Sequence, residues 1–206
     1  MKFLKWFFIV LAVLILACAG YFVFSVTKFR NGEVLDLGVK YSYKDYTEAV
    51  EGKAQVSVKN PSALYLGSTF QTSGSKHVEQ DFTNTEISAI QNYSNDKSGP
   101  FRDIQIAFHS DGSVEASGMV VDTRINAPIY AKGTINRTGD RSFEIKTSTI
   151  IAGQYVLPSA LRKIVDDKFG AYINSILKNI DGLKVEKIEF KDGAVNFVGD
   201  VPANIL

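Results

Sequence analysis

The chain has 206 residues, with 23 Lys and Arg against 22 Asp and Glu, which gives a net charge of +1. This length favours one domain of ordinary size, or one domain plus an appendage, over two large domains. The near-neutral charge excludes the basic excess that drives sequence-independent nucleic-acid binding, so no nucleic-acid partner is expected. One cysteine and two histidines exclude a disulfide framework and a zinc site built on several thiolates.

The N-terminus is strongly apolar. Residues 6–26 form a run of 21 residues without a charge, and a helix of that length spans roughly 31 Å, close to the hydrocarbon core of a bilayer. Lys2 and Lys5 precede the run, which favours a cytoplasmic N-terminus with the rest of the chain outside. We predict a single-pass cell-membrane protein with a signal anchor over 1–28, a juxtamembrane linker over 29–40 and an extracytoplasmic α+β domain over 41–206.

Two other fates of this segment stay open. Residues 17–19, Ala-Cys-Ala, fit a signal-peptidase site, and residues 15–18, Ile-Leu-Ala-Cys, fit a degenerate lipoprotein box with Cys18 as the lipidated residue. Either cut would leave an apolar YFVFSV stretch at the new terminus, and Leu16 is bulkier than a lipoprotein box prefers. The uncleaved anchor is therefore the favoured interpretation.

Patterns after the linker predict a mixture of short elements. In chain order these are a short helix over 41–50, strands over 54–58 and 78–82, and a helix from residue 84 to about 93. Thr83 and Glu86 have the spacing of a capping box at the start of that second helix. The tyrosines at 41, 43 and 46 are compatible with a sugar-binding platform, but a short helix with exposed rings near the membrane is favoured.

From residue 101 the hydrophobic period changes to two. Strands are predicted over 101–108, 114–120, 129–135 and 143–151, joined by tight turns, which together indicate an antiparallel meander. A final hairpin is predicted with strands over 183–190 and 194–201. Its alternation slips by one between Val185 and Ile188, which indicates a bulge.

A long amphipathic helix is predicted between the meander and the final hairpin. Pro158 suits its first turn and Gly182 its end. We expect Asp166 and Asp167 on its solvated face. Apolar residues recur along it at three- and four-residue spacing. Seven of them are the candidate lining of an apolar groove, and we call them the apolar stripe: Leu161, Ile164, Val165, Phe169, Ile173, Ile176 and Leu177.

The sequence carries no motif of a known chemistry. GxSxG, GxGxxG, GxxxxGK[ST] and HExxH are all absent. No serine or acidic residue lies at a spacing from His77 or His109 that is typical of a catalytic or metal site. Each histidine is therefore interpreted as an ordinary surface or strand residue. We therefore predict no catalytic residue, no metal ligand and no cofactor, and expect that the protein is not an enzyme.

The order of elements resembles that of small membrane-anchored bacterial proteins related to the TULIP-like (tubular lipid-binding) superfamily. The strings concerned are TNTEISAIQNY, GSVEASGMV, YVLPSALRKIVDDKFGAYINSILK and LKVEKIEFKDGAVNFVG, within roughly residues 80–201. The resemblance implies a strongly curved antiparallel sheet wrapped along the long helix, with an apolar groove for acyl chains.

Together these patterns predict an α+β fold: an N-terminal transmembrane helix, then a curved antiparallel sheet packed on one long C-terminal amphipathic helix. The expected function is a membrane-anchored extracytoplasmic domain that binds a lipid or other amphiphile in the apolar groove. The alternative is a structural or interaction protein of a cell-envelope assembly, with a closed core and no ligand. The expected partners are the membrane, through residues 6–26, and either a lipid or an envelope protein.

Overall fold

The computed structural model describes residues 32–59, 71–95, 100–121 and 126–205. The predicted anchor, including residues 6–26, lies outside these ranges. Within them, no helix combines the length and the apolar character that crossing a bilayer requires. The elements are α1 (Tyr43–Thr47) with a π-helical continuation (Glu48–Lys53), β1 (Ser57–Val58), β2 (Thr72–Ser73), β3 (Lys76–Thr83), α2 (Asn84–Asn95), β4 (Phe101–Phe108), β5 (Ser113–Val121), β6 (Asn126–Gly139), β7 (Ser142–Ala152), β8 (Tyr155–Val156), α3 (Ser159–Lys178), β9 (Lys184–Lys191), β10 (Ala194–Val201) and β11 (Asn204–Ile205).

The capping box at the start of α2 is confirmed. The Thr83 backbone N–H donates to Glu86 Oε2 at 2.7 Å, and the Glu86 N–H donates to Thr83 Oγ1 at 3.3 Å. Lys53 Nζ donates to the same Glu86 Oε2 at 2.8 Å. Two N–H groups that a helix start would leave unpaired are thus satisfied.

The predicted meander is confirmed as an antiparallel five-stranded sheet of order β4-β5-β6-β7-β8. Paired residues in neighbouring strands lie on the same face, so the register divides the sheet into two. The face that we call the apolar face carries Ile106, Phe108, Val114, Ala116, Ala131, Gly133, Ile135, Ile145 and Ile150. The opposite, polar face carries Gln105, Glu115, Ser117, Tyr130 and Lys132.

The expectation of a single sheet is wrong. The final hairpin, β9 and β10, pairs with β3 in a separate antiparallel sheet of order β3-β10-β9, and β1, β11 and β2 form a third, small sheet. The predicted bulge is confirmed, because Val198 pairs with Lys187 while the next residue, Gly199, pairs with Val185. Glu186 is therefore the extra residue.

The main core lies between the β3-β10-β9 sheet, α2 and the β4–β5 end of the apolar face. Its buried residues are Ala49, Val78, Phe82, Phe108 and Val195, with Ile87, Ile90, Ile106, Val114, Ile188, Phe190 and Phe197 packed against them. A second cluster, around Tyr46, Val50, Val56 and Ala89, lies under α1. The expectation of exposed tyrosine rings holds for Tyr43, which is 55% exposed, but is wrong for Tyr46, which is 1% exposed. Tyr41 is half-buried.

Residues 32–40 form no helix or strand. The N–H groups of Leu37 and Val39 both donate to Gln105 Oε1, at 2.8 and 3.3 Å, and Val39 is buried. This predicted linker segment therefore lies across the polar face of the five-stranded sheet.

Candidate functional site: an apolar stripe on a helix that borders the sheet

Helix α2 borders the β4 edge of the five-stranded sheet through polar side chains spaced four residues apart. In sequence these are Asn84, Ser88 and Asn92, which accept from the backbone N–H groups of Phe108, Ile106 and Ile104, each at 2.9 Å. Asn92 Nδ2 also donates to the Ile104 carbonyl at 2.6 Å. These side chains thus satisfy backbone N–H groups of β4 that a neighbouring strand would otherwise bind.

Helix α3 borders the opposite edge in the same way. Asp166 accepts from the Thr147 N–H at 3.0 Å and from Thr147 Oγ1 at 2.8 Å. Asn174 accepts from the Phe143 N–H at 2.8 Å and donates to the Phe143 carbonyl at 2.9 Å. Gly170, halfway between the two, is buried.

Geometry explains why a spacing of four recurs. Four residues of helix rise about 6 Å, and two residues of strand span about 6.6 Å, so side chains on one helix face meet every second backbone group at a strand edge. Both helices run antiparallel to the strand they border, and β4 and β7 themselves run in opposite directions. A half-turn about an axis perpendicular to the sheet therefore superposes α2 with β4 onto α3 with β7.

This half-turn fixes the direction of the apolar stripe. Under this half-turn, Ser88 superposes on Gly170. Ile87, the residue before Ser88, therefore superposes on Phe169. Ile87 packs into the main core on the apolar side of the sheet, beside Ile106 and Phe108. A rotation perpendicular to the sheet keeps each face on its own side, so Phe169 projects to the same apolar side at the β6–β7 end.

The two ends of the apolar face differ in what covers them. At the β4–β5 end, the β3-β10-β9 sheet closes the core. At the β6–β7 end, the sheet residues Ile135 and Ile145 are half-buried, and the helix beside them is largely open. Val165 is 39% exposed, while Phe169 and Tyr172 are each 42% exposed. The space bounded by these helix side chains and the apolar face of the sheet, which we call the concavity, is therefore only partly covered by the described residues.

The predicted lining residues are divided by the structure. Leu161 and Ile164 are exposed at 45% and 56%, whereas Ile173, Ile176 and Leu177 are half-buried toward the sheet. Ile164 and Phe169 are five residues apart, which on a helix turns their side chains about 140° from each other. Ile164 therefore lies away from the side that Val165, Phe169 and Ile176 share.

Two expectations about this helix are wrong. The prediction is a curved sheet packed on this helix, but the helix lies along the β7 edge of the sheet. Asp166 was expected to be solvated, but it accepts both hydrogen bonds from Thr147. Asp167 is exposed as expected and lies 3.2 Å from Lys163 Nζ. Neighbouring helical positions point about 100° apart, so only one of the two aspartates can reach the strand.

A polar cluster lies on the other face of the sheet. Glu115 accepts from Tyr130 OH and from Lys132 Nζ, both at 3.0 Å, and His109 Nε2 lies 3.2 Å from Glu115 Oε1. The hydrogen bond from Lys132 lowers the pKa of Glu115. Burial, followed by the hydrogen bond to Glu115, raises the pKa of Tyr130. Glu115, Tyr130 and Lys132 thus satisfy one another, as in a structural ion-pair network. His109 Nε2, although close to Glu115, is buried and forms no hydrogen bond with the described residues.

His77, the other histidine, pairs at the surface with Asp200, with 3.0 Å between Nδ1 and Oδ1. Within the ranges that the structure describes, no three His, Cys, Asp or Glu side chains are placed to hold a metal ion.

Comparisons with known proteins give no relative. No family model matches the chain, no curated protein matches it, and no solved structure matches it.

The residues that attach the helices to the sheet edges escaped the sequence analysis. Asn84, Ser88 and Asn92, like Asp166 and Asn174, are small polar residues that sequence patterns assign to a solvated face. The available signal is their regular spacing of four or eight residues beside an apolar stripe. That spacing becomes informative only once a strand edge is known to lie alongside.

Proposed function

We propose that the domain binds the apolar chain of an amphiphile in the concavity between α3 and the β6–β7 end of the apolar face. The supporting observation is that Val165, Phe169 and Tyr172 are 39%, 42% and 42% exposed. They lie on the side of α3 that corresponds to the core-facing side of α2. Large apolar side chains left open beside an apolar sheet face are typical of a ligand-binding or interaction surface.

The magnitude is adequate for reversible binding. Fully burying a large apolar side chain contributes about 1.5–3 kcal/mol, so covering the exposed part of each of these three contributes about 1 kcal/mol. Contacts with the half-buried Ile135 and Ile145 add to this. Each ligand methylene that leaves water adds about 0.8 kcal/mol. This contribution offsets the cost of association and brings the total into the range of millimolar to micromolar dissociation constants, which correspond to about −4 to −8 kcal/mol.

In this proposal the predicted anchor, residues 6–26, holds the domain at the outer face of the membrane, close to a supply of amphiphiles. A structural protein with a closed core would instead bury the stripe. The openness of α3 therefore favours the binding function over that alternative.

Photolabelling of the full-length protein in phosphatidylcholine nanodiscs tests the proposal. The probe is an uncharged sixteen-carbon alcohol with a diazirine near its chain end, and the labelled peptides are mapped by mass spectrometry. We expect label on the peptides of β6, β7 and α3, and at least a tenfold loss in Phe169→Asp. Ile164→Asp is the matched control, because it places the same charge on the same helix but away from the concavity. Equal labelling of the two variants, or label confined to other peptides, refutes the proposal.

A further inference from the structure

Arg162 lies in line with the apolar stripe, at the N-terminal end of α3. Arg162, Phe169 and Ile176 follow one another at intervals of seven residues, which is nearly two helical turns, so neighbouring members point within about 20° of each other. The row is about 21 Å long at 1.5 Å per residue. A cation therefore lies at one end of an otherwise uncharged row.

The charge of Arg162 has no counter-ion within the described part of the chain. Its Nη1 donates to the Leu157 carbonyl at 3.0 Å, a neutral acceptor. Asp166, one turn further on, accepts two hydrogen bonds from Thr147 and forms no ion pair with Arg162. Lys163, the adjacent residue, differs in being largely exposed and paired with Asp167.

The second edge of the guanidinium is unused. Nε is shielded from solvent and has no hydrogen-bond partner among the described residues. A buried donor left without a partner costs about 1–3 kcal/mol, so such a group usually has an explanation. Nε and Nη2 form one edge of the guanidinium fork, and two parallel N–H groups at this spacing match the two oxygens of a carboxylate.

The surroundings add to the attraction for an anion. The first turn of α3 contains no acidic residue, and no side chain caps it. The positive end of the helix dipole is therefore uncompensated at the same place.

We propose that Arg162 binds the carboxylate of a fatty acid whose acyl chain lies along Phe169 and Ile176. This proposal rests on the proposed function, since it names the headgroup for the same concavity. A single guanidinium balances the single charge of a carboxylate, whereas a phosphate monoester brings about −1.5 to −2 at neutral pH. The edge formed by Nε and Nη2 can donate two hydrogen bonds to one acceptor group, and the two oxygens of a carboxylate match it.

Three photoactivatable probes with the same sixteen-carbon diazirine chain test this, again with the full-length protein in phosphatidylcholine nanodiscs at pH 7.4. They are the fatty acid, its methyl ester and the corresponding alkyl phosphate. We expect the fatty acid to label α3 most strongly. Arg162→Gln should reduce labelling by the acid at least tenfold and labelling by the ester less than twofold. Arg162→Lys, which keeps the charge but loses the fork, should give an intermediate value.

Lys163→Gln is the matched control and should leave labelling by all three probes unchanged. Retained labelling by the ester shows that Arg162→Gln is folded. If acid and ester label equally in the unmodified protein and in Arg162→Gln, the headgroup assignment is overturned while the apolar site stands. If the phosphate labels best, the carboxylate assignment is overturned. If no probe labels α3, both proposals fail.

Discussion

Replacing both edge contacts of α3, in the double variant Asp166→Ala/Asn174→Ala, should detach this helix from β7 without unfolding the domain. The two side chains make four hydrogen bonds to Thr147 and Phe143. Beyond these, the helix is attached mainly by Arg141 Nη1 to the Lys178 carbonyl at 3.1 Å and by half-buried apolar contacts. Polar contacts therefore contribute to its docking at both ends of the contact with β7.

The expected size follows from that count. At about 1 kcal/mol net for each hydrogen bond, losing four lowers the free energy of local opening by about 4 kcal/mol. Since about 1.4 kcal/mol corresponds to a factor of ten, exchange of α3 backbone amides that open by undocking should accelerate by up to about a thousandfold.

Hydrogen–deuterium exchange of the full-length protein, followed by mass spectrometry, measures this directly. Peptides covering 159–178 and 142–150 should lose protection, while those covering 84–95 and 194–201 keep it. Asn92→Ala is the contrasting variant, because α2 also carries core residues and its loss should lower the stability of the whole domain.

A second comparison uses Gly170, which occupies the position of Ser88 in the half-turn relation. A Cβ at Gly170 meets no atom within 4 Å, so Gly170→Ala should stabilise α3 by about 0.5–1 kcal/mol and slow its exchange. Unchanged protection of α3 in the double variant, or an equal loss across α2, would refute the docking scheme.

Three further outcomes are expected. Gly133→Ala should destabilise the sheet by about 1–3 kcal/mol in urea unfolding, because its Cβ would overlap the Lys146 carbonyl; an unchanged midpoint would contradict this. Tyr46→Phe should be neutral or stabilising by up to about 1 kcal/mol in thermal unfolding, since the buried hydroxyl has no partner within the described residues and burial raises its pKa to about 12; a large loss would show an unseen partner. The hydrogen bond from Lys132 lowers the pKa of Glu115 below its ordinary 4.5, so its stabilisation should be present above pH 4.5 and disappear as the pH falls through the lowered pKa. Glu115→Gln should flatten this part of the stability–pH curve, and a curve of unchanged slope would argue against the assignment.

The local elements were predictable because local chemistry specifies them. Alternation with period two predicted the meander. The spacing of Thr83 and Glu86 predicted the start of α2, and the slip in alternation between Val185 and Ile188 predicted the bulge. Each of these signals depends on residues a few positions apart, so no knowledge of distant contacts is needed.

The arrangement of these elements was not predictable to the same degree. A hydrophobic period shows that α3 has an apolar stripe, but not whether the stripe is covered or open. Likewise, the alternation of Val78 and Phe82 in β3 does not say which hairpin it pairs with. The sequence pattern assigns Asp166 to the surface. Its actual partner, Thr147, lies on the edge of a strand that only the tertiary structure brings near the helix.

The two bordering helices also bear on self-association. A sheet normally ends in strands whose unpaired backbone groups can recruit further strands from other molecules. Here, side chains of α2 occupy the backbone N–H groups of β4 from Ile104 to Phe108, and Asp166 and Asn174 occupy those of Phe143 and Thr147 on β7. These backbone groups of β4 and β7 are therefore closed to further strands, so the exposed apolar surface of α3 does not adjoin a strand edge that could act as a template for aggregation.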